Sequence, residues 1–375
     1  MTIDTPCCTV TPFYDIKDTP WGGRSCFATD DIQKNTVILE VNDTTGSSIQ
    51  YEFRKEVCHY CFKYNNGKSM KFKIERTDIE GFLSEDNKWL KSHLKKFRGA
   101  GLWFCSSDCM HSYLTIPQII DLIEIYEILL DNYMNKLKKH NPDDDREAEL
   151  NSVEISQPII DSVWENIRIE WLPLIDTMKY TKREQYLPII SEDEYNWARF
   201  VSNTLFHLRT YNKDTETGKS FWNLQSNELN KMKQFPILLH FQQLVFKTLY
   251  ILLPKTLRVD FCIETFRHIM GSEYGNVFGI WQEGETVDSR ESLGHWVFPR
   301  ASYFNHSCMP NITKSRNRNT MYFTLNEDVH CGDELCIEYS GILDLTTAKR
   351  RQFLKENWFF DCQCRKCRLE IQSSH

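Results

Sequence analysis

The tail holds Cys362, Cys364 and Cys367 in a C-x-C-x2-C run. A structural zinc takes four soft ligands in a tetrahedron, so three clustered thiols must be met by a fourth from elsewhere in the chain. That requirement constrains the tertiary fold more than any other feature of the sequence. Upstream, Cys308 lies in Asn305-His306-Ser307-Cys308-Met309-Pro310-Asn311 and is the preferred fourth ligand; Cys331 and Cys336 are the alternatives. A second constellation combines the pair Cys58/Cys61 with the pair Cys105/Cys109. Two short-spaced thiol pairs can close a tetrahedral site between them. His59 and His111 are the alternatives to a thiol there. Cys7, Cys8, Cys26 and Cys262 show no pairing pattern and read as plain thiols.

The chain has 14 cysteines, and Met1 to Phe13 lacks a basic stretch followed by an apolar run. No secretory leader is therefore expected. A reducing compartment, cytoplasmic and/or nuclear, favours thiols and metal ligands over disulfides. The most apolar stretch, Ile237 to Leu253, contains His240, Gln242, Gln243 and Lys247. It is too short and too polar to cross a bilayer and reads as a buried helix. The formal charge of −7, from 45 basic and 52 acidic residues, gives no broad basic surface. Direct nucleic-acid binding and membrane association are not expected. The mild acidic excess suits a basic peptide partner.

At 375 residues the chain has room for two or three domains, and 13% aromatic content argues against disorder. Residues 10 to 45 read as strand and turn, with a tight turn at Trp21-Gly22-Gly23-Arg24-Ser25 and a strand over Thr36–Val41. Helical spacing runs from 116 to 139 until Asn141-Pro142-Asp143-Asp144-Asp145 breaks it, and residues 158 to 270 are mostly helical. Ser191 and Glu194 form a capping box. Beyond 270, Gly275, Gly279, Gly284 and Gly294 punctuate short apolar runs, as in small strands joined by turns. Met321–Leu325 and Glu334–Glu338 read as a strand pair connected through Cys331-Gly332-Asp333. A final helix is expected from Leu345 to Glu356. The chain therefore reads as an α+β protein, a β domain split by an inserted helical one.

Asn305-His306-Ser307-Cys308-x-Pro310-Asn311, then Glu338-Tyr339, then Cys362-x-Cys364-x2-Cys367, resemble the SET domain of protein lysine methyltransferases. The paired cysteines and the helices after them resemble the SET-and-MYND subfamily over nearly the whole chain. This implies a SET-type β fold of small sheets, interrupted by a zinc-binding MYND-like module and a helical insert and closed by a post-SET zinc tail. The implied segments are 1–50 and 266–345 for the two parts of the SET domain, 51–113 for the reduced zinc module, 114–265 for the insert and 346–375 for the tail. The resemblance implies S-adenosyl-L-methionine and two structural zinc ions, on Cys58, Cys61, Cys105 and Cys109 and on Cys308, Cys362, Cys364 and Cys367. It implies that Gly22, Gly23, Arg24, Asn276, Asn305, His306, Tyr339 and Phe360 contact the cofactor. Tyr339 is the implied catalytic residue, and Tyr339, Trp358 and Phe360 wall the substrate-lysine channel. The implied partner is a protein carrying a target lysine, histone or non-histone, and a monomer is expected.

Two departures from the family pattern stand out. A full MYND module has four ligand pairs; here the first and third, which share one metal, are present and the second and fourth are missing. Trp358 stands where the subfamily has a Tyr, four residues before the first tail cysteine. An indole can wall a channel and stack on a cation but offers no hydroxyl. The alternative reading is thus a SET-fold binding or adaptor protein with little turnover.

Overall fold

A computed structural model describes residues 11–21, 23–136, 146–210, 214–282 and 290–372. Gly22, the Cys7 and Cys8 thiols and the 141–145 loop lie outside the described residues.

Twelve strands are present among the described residues: β1 (Tyr14–Thr19), β2 (Gly23–Ala28), β3 (Val37–Val41), β4 (Gly46–Ile49), β5 (Phe72–Lys73), β6 (Trp103–Phe104), β7 (Val277–Trp281), β8 (Ser292–Val297), β9 (Asn305–His306), β10 (Ile312–Asn317), β11 (Thr320–Leu325) and β12 (Glu334–Ile337). They form small sheets ordered β1-β2-β12-β9, β10-β11-β3, β4-β8-β7 and β5-β6. Strand β11 shows why the sheets have one dry face. Met321, Phe323 and Leu325 alternate with Thr320, Tyr322 and Thr324, so every second side chain enters the core. Residues from both ends of the chain share that core, including Tyr14, Ile38, Trp296, Phe304, Phe323 and Leu335. The N-terminal and C-terminal strands therefore build one β unit around everything between them.

The expected pairing of Met321–Leu325 with Glu334–Glu338 is not formed. Strand β11 lies between β10 and β3, whereas β12 pairs antiparallel with β2 and parallel with β9. Adjacent strands in sequence are the usual partners, but here β12 closes the gap between the N-terminal hairpin and the Asn305-His306 segment. A helix at Thr347–Trp358 follows, and it is not the last. A further helix, Arg365–Gln372, starts within the tail cysteine run.

The intervening residues form a separate helical core. Its central helix, Glu192–Thr210, begins at the expected capping box: Ser191 N donates to Glu194 Oε2 at 2.7 Å, and Glu194 N donates to Ser191 Oγ at 3.3 Å. The apolar stretch is the buried helix Ile237–Leu252. No helix among the described residues is long and apolar enough to cross a membrane. The helical and β cores meet through buried amides. Asn203 Oδ1 accepts from Ser47 N at 2.8 Å, and Asn196 Oδ1 accepts from Tyr51 N at 3.0 Å.

Helix Ile119–Lys136 carries two carboxylates on its buried side. Glu124 accepts from Leu90 N at 2.9 Å and from Asn87 Nδ2 at 3.1 Å. Glu127 accepts from Arg98 N at 2.7 Å and from Ala100 N at 2.6 Å. Together they fasten the segment that runs between the two thiol pairs. Desolvation raises both pKa values, and the backbone N–H donors pull them back. The 265/266 border drawn from the sequence falls inside helix Ile263–Asn276, because the chain leaves the helical layer only at Gly275, where φ is 117°. A side chain there would be strained and would press on Asn227 Nδ2, 2.7 Å from the added carbon.

Candidate active site

Both cysteine constellations close. The sulfurs of Cys58, Cys61, Cys105 and Cys109 all lie within 4.8 Å of one another, as do those of Cys308, Cys362, Cys364 and Cys367. A tetrahedral ion with metal–sulfur bonds of about 2.3 Å puts its ligands about 3.8 Å apart. The spacings Cys61–Cys105 of 3.6 Å, Cys105–Cys109 of 3.5 Å, Cys308–Cys367 of 3.6 Å and Cys308–Cys362 of 4.0 Å fit that edge. Either set can hold a tetrahedral metal ion. The alternatives fall away by position. Cys331 is exposed and its thiol faces Thr29 O at 3.3 Å; Cys336 sits in β12; His111 is exposed. His59 Nδ1 accepts from Trp103 N at 3.1 Å, so its ring ties the first thiol pair to the strand ahead of the second.

The tail cluster borders a cleft of about 910 Å³, within the roughly 300–1,000 Å³ typical of small-molecule sites. Every expected cofactor and channel residue among the described ones lines it: Gly23, Arg24, Asn276, Asn305, His306, Tyr339, Trp358 and Phe360. Three separated parts of the sequence deliver them. Gly23, with φ of 70°, opens β2 after the hairpin turn, and Arg24 follows. The Arg24 guanidinium bonds to Asn223 O and lies 5.1 Å over the Tyr303 ring. Ser25 keeps a negative φ inside β2, so a side chain there is unstrained. Asn276 follows the Gly275 kink and donates to Ser272 O at 2.6 Å.

The third part is wired to the cysteines. His306 Nδ1 accepts from Tyr339 N at 3.2 Å, and Nε2 lies 3.4 Å from Cys308 Sγ. Since Nδ1 accepts, the neutral ring carries its proton on Nε2, facing the sulfur. Burial holds His306 low, at about 4, which keeps that neutral form. Both ring nitrogens are thus engaged by protein atoms. The ring therefore braces the tail cluster against Tyr339. The Tyr339 hydroxyl donates to Phe304 O at 3.2 Å, and burial raises its pKa well above the ordinary phenol value. Around it stand Trp358 at 5.5 Å, Phe360 at 6.3 Å and His306 at 5.3 Å between ring centroids. The turn that swings Phe360 inward is made by Phe359, in the left-handed region with φ of 64°.

Some lining residues carry no local sequence signal. Tyr303, Gln225 and Asn227 reach the cleft from other elements. Arg350 is 2% exposed; it bonds Glu370 at 2.6 Å and lies 3.9 Å from Cys367 Sγ. In the sequence it looks like any basic residue on a helix surface.

The SET-domain family profile matches residues 23–340. The chain is 52% identical over 375 residues, the full length of both, to the Saccharomyces cerevisiae protein named "Potential protein lysine methyltransferase SET6". A SET and MYND domain-containing protein of Dictyostelium discoideum is 35% identical over 109 residues, covering 29% of this chain and 25% of that one. N-lysine methyltransferase SMYD2-B of Xenopus laevis is 33% identical over 86 residues, 22% of this chain and 20% of that one. The full-length likeness to a fungal SET protein and the partial likeness to SET-and-MYND proteins agree with the motifs and with the cleft they build: this chain belongs to the SET-domain family.

Proposed function

We propose that this chain is an S-adenosylmethionine-dependent protein lysine N-methyltransferase, with zinc in both cysteine clusters. The observation that carries the reading is the convergence of Arg24, Asn276, Asn305, Tyr339 and Phe360 on one cleft, with His306 joining Tyr339 to the tail cluster. When bound, S-adenosylmethionine supplies an electrophilic methyl on a sulfonium. The chain's own residues position the acceptor. The rings of Tyr339, Trp358 and Phe360 form an apolar wall that disfavours a charged amine. The Tyr339 hydroxyl gives its proton to Phe304 O, so its lone pairs are left to accept an amine N–H. That contact turns the amine lone pair toward the methyl and aligns the displacement. Arg24, with its guanidinium held over Tyr303, is suited to the cofactor's carboxylate.

Trp358 favours a second reading, a SET-fold binding protein with little turnover, because the indole 5.5 Å from Tyr339 supplies no hydroxyl. Calorimetry with S-adenosylhomocysteine, followed by labelled-methyl incorporation into peptide arrays, separates the two. The enzyme reading expects transfer by the wild type and at least about a hundredfold less by Tyr339→Phe, as for loss of one preorganised polar contact. Cofactor binding without transfer in either protein overturns it. Native mass spectrometry should find two zinc ions.

A further inference from the structure

A second, much smaller cavity of about 30 Å³ lies where three parts of the molecule meet. Strand β4 contributes Ser47, helix Ser107–Leu114 of the zinc module contributes Tyr113, and the helical core contributes Tyr126, Arg199 and Asn203. There is room for one or two particles the size of a water molecule. Arg199 is 5% exposed, and a guanidinium does not shed its proton. The ionisable groups acting on it are the phenols of Tyr195, Tyr126 and Tyr113. Burial holds all three protonated, so none serves as a counterion. The Tyr126 ring, 3.7 Å away, offsets part of the cost of desolvating the charge. Both hydrogen bonds of Arg199 leave from Nη1, to Ala100 O at 3.0 Å and Tyr195 Oη at 3.3 Å, so Nε and Nη2 have no acceptor among the described residues. Tyr113, 7% exposed, is a second buried donor without a hydrogen-bond partner among them. Asn203 Oδ1 is taken by Ser47 N at 2.8 Å, which leaves the amide hydrogens of Asn203. No Asp or Glu among the described residues lines the cavity. Glu127, next to Tyr126, spends its carboxylate on the N–H groups of Arg98 and Ala100.

We propose that this cavity binds one small monovalent anion of halide size, held by Arg199 and the Tyr113 hydroxyl. Buried charges are paired in folded proteins, and here the chain supplies donors and a cation but no anion. Water fits by size yet neutralises nothing, and phosphate or a carboxylate metabolite exceeds the room. The anion would fasten β4, the zinc module and the helical core to one another at a single point. None of Ser47, Tyr113, Tyr126, Arg199 and Asn203 lines the larger cleft, so the site is separate from it and independent of the methyltransferase reading.

The test is thermal unfolding of the full chain, purified with zinc, in sodium chloride, sodium bromide or sodium gluconate at one ionic strength. Gluconate is too large for the cavity and controls for screening. Chloride and bromide should raise the Tm in a saturable way, as does any ligand bound only by the folded state; gluconate should not. Tyr113→Phe deletes one donor to the ion and should raise the half-saturating chloride concentration about tenfold. Arg199→Met should abolish the chloride response, and if that variant fails to fold the Tyr113→Phe shift carries the test. A crystal soaked in bromide should show anomalous signal beside Arg199. Equal Tm in chloride and gluconate, a chloride response unchanged in Tyr113→Phe, or water alone in the cavity of the bromide-soaked crystal overturns the proposal.

Discussion

The two cysteine clusters share ligand type and geometry but are wired into the molecule differently. The cluster of Cys58, Cys61, Cys105 and Cys109 joins the helical core, and the segment between its pairs is held by Glu124 and Glu127. The cluster of Cys308, Cys362, Cys364 and Cys367 forms its own small core with Leu354 and Ile342, next to Trp358 and Phe360. One of its sulfurs touches His306, which accepts from Tyr339. The first cluster therefore holds a module in place, while the second holds the cleft in shape. Two buried carboxylates, Glu124 and Glu127, fix the stretch between the first cluster's thiol pairs through the N–H groups of Leu90, Arg98 and Ala100.

This contrast can be broken at several points. The largest stability effect is expected at Glu127. Glu127→Ala leaves the N–H groups of Arg98 and Ala100 without their acceptor. At about 1–3 kcal/mol for each buried unsatisfied group, denaturant titration should show a loss of about 2–4 kcal/mol. Chelator-driven metal release should quicken at the first cluster and stay unchanged at the tail.

The helical region should also carry a pH dependence. Glu273 is fully enclosed, and burial raises its pKa to about 8 despite nearby Lys231. The unfolded carboxyl titrates near 4.5. The stability linked to the bound proton is complete below about 4.5 and is lost as pH rises through about 8. Each pKa unit is worth about 1.4 kcal/mol, so wild type should lose up to a few kcal/mol from pH 6 to pH 8.5. Glu273→Gln should flatten that decline; an unchanged slope removes Glu273 as its source.

At the tail, Arg350→Met removes a buried guanidinium that faces Cys367 and breaks its ion pair with the half-exposed Glu370. The expected cost is about 2 kcal/mol, with faster metal release from the tail cluster alone. The smallest effect should follow Trp358→Tyr. Restoring a hydroxyl beside Tyr339 adds one hydrogen bond, worth up to about tenfold in turnover, with cofactor affinity unchanged.

Much of this architecture could be read from the chain, for reasons that differ from place to place. Thiol spacing announced both clusters, because tetrahedral coordination leaves few ways to satisfy three or four soft ligands. The Ser191/Glu194 cap was visible because capping is local. Strand partnership was not: β12 bonds to β2 and β9, more than 300 and about 30 residues away in sequence, and no short-range pattern encodes that choice. The second tail helix, Arg365–Gln372, was hidden because the cysteine run masks its periodicity. His306 was legible as a site residue, but its bracing role depends on Cys308 and Tyr339 meeting on either side of one ring. Lys314 gave no signal at all, since a lysine in a strand reads as an exposed residue until the fold has its ammonium donate to Tyr339 O at 3.3 Å.

The central claim is that the tail cluster, and not the first, shapes the cofactor cleft. Calorimetric titration of S-adenosylhomocysteine into Cys364→Ser and Cys105→Ser, side by side with wild type, tests it most directly. The account predicts at least about a hundredfold weaker binding for Cys364→Ser, since metal loss there unfastens the tail. It predicts binding within about threefold of wild type for Cys105→Ser, a site that shares no partners with the cleft. Equal losses in the two variants, or a larger loss in Cys105→Ser, would contradict it.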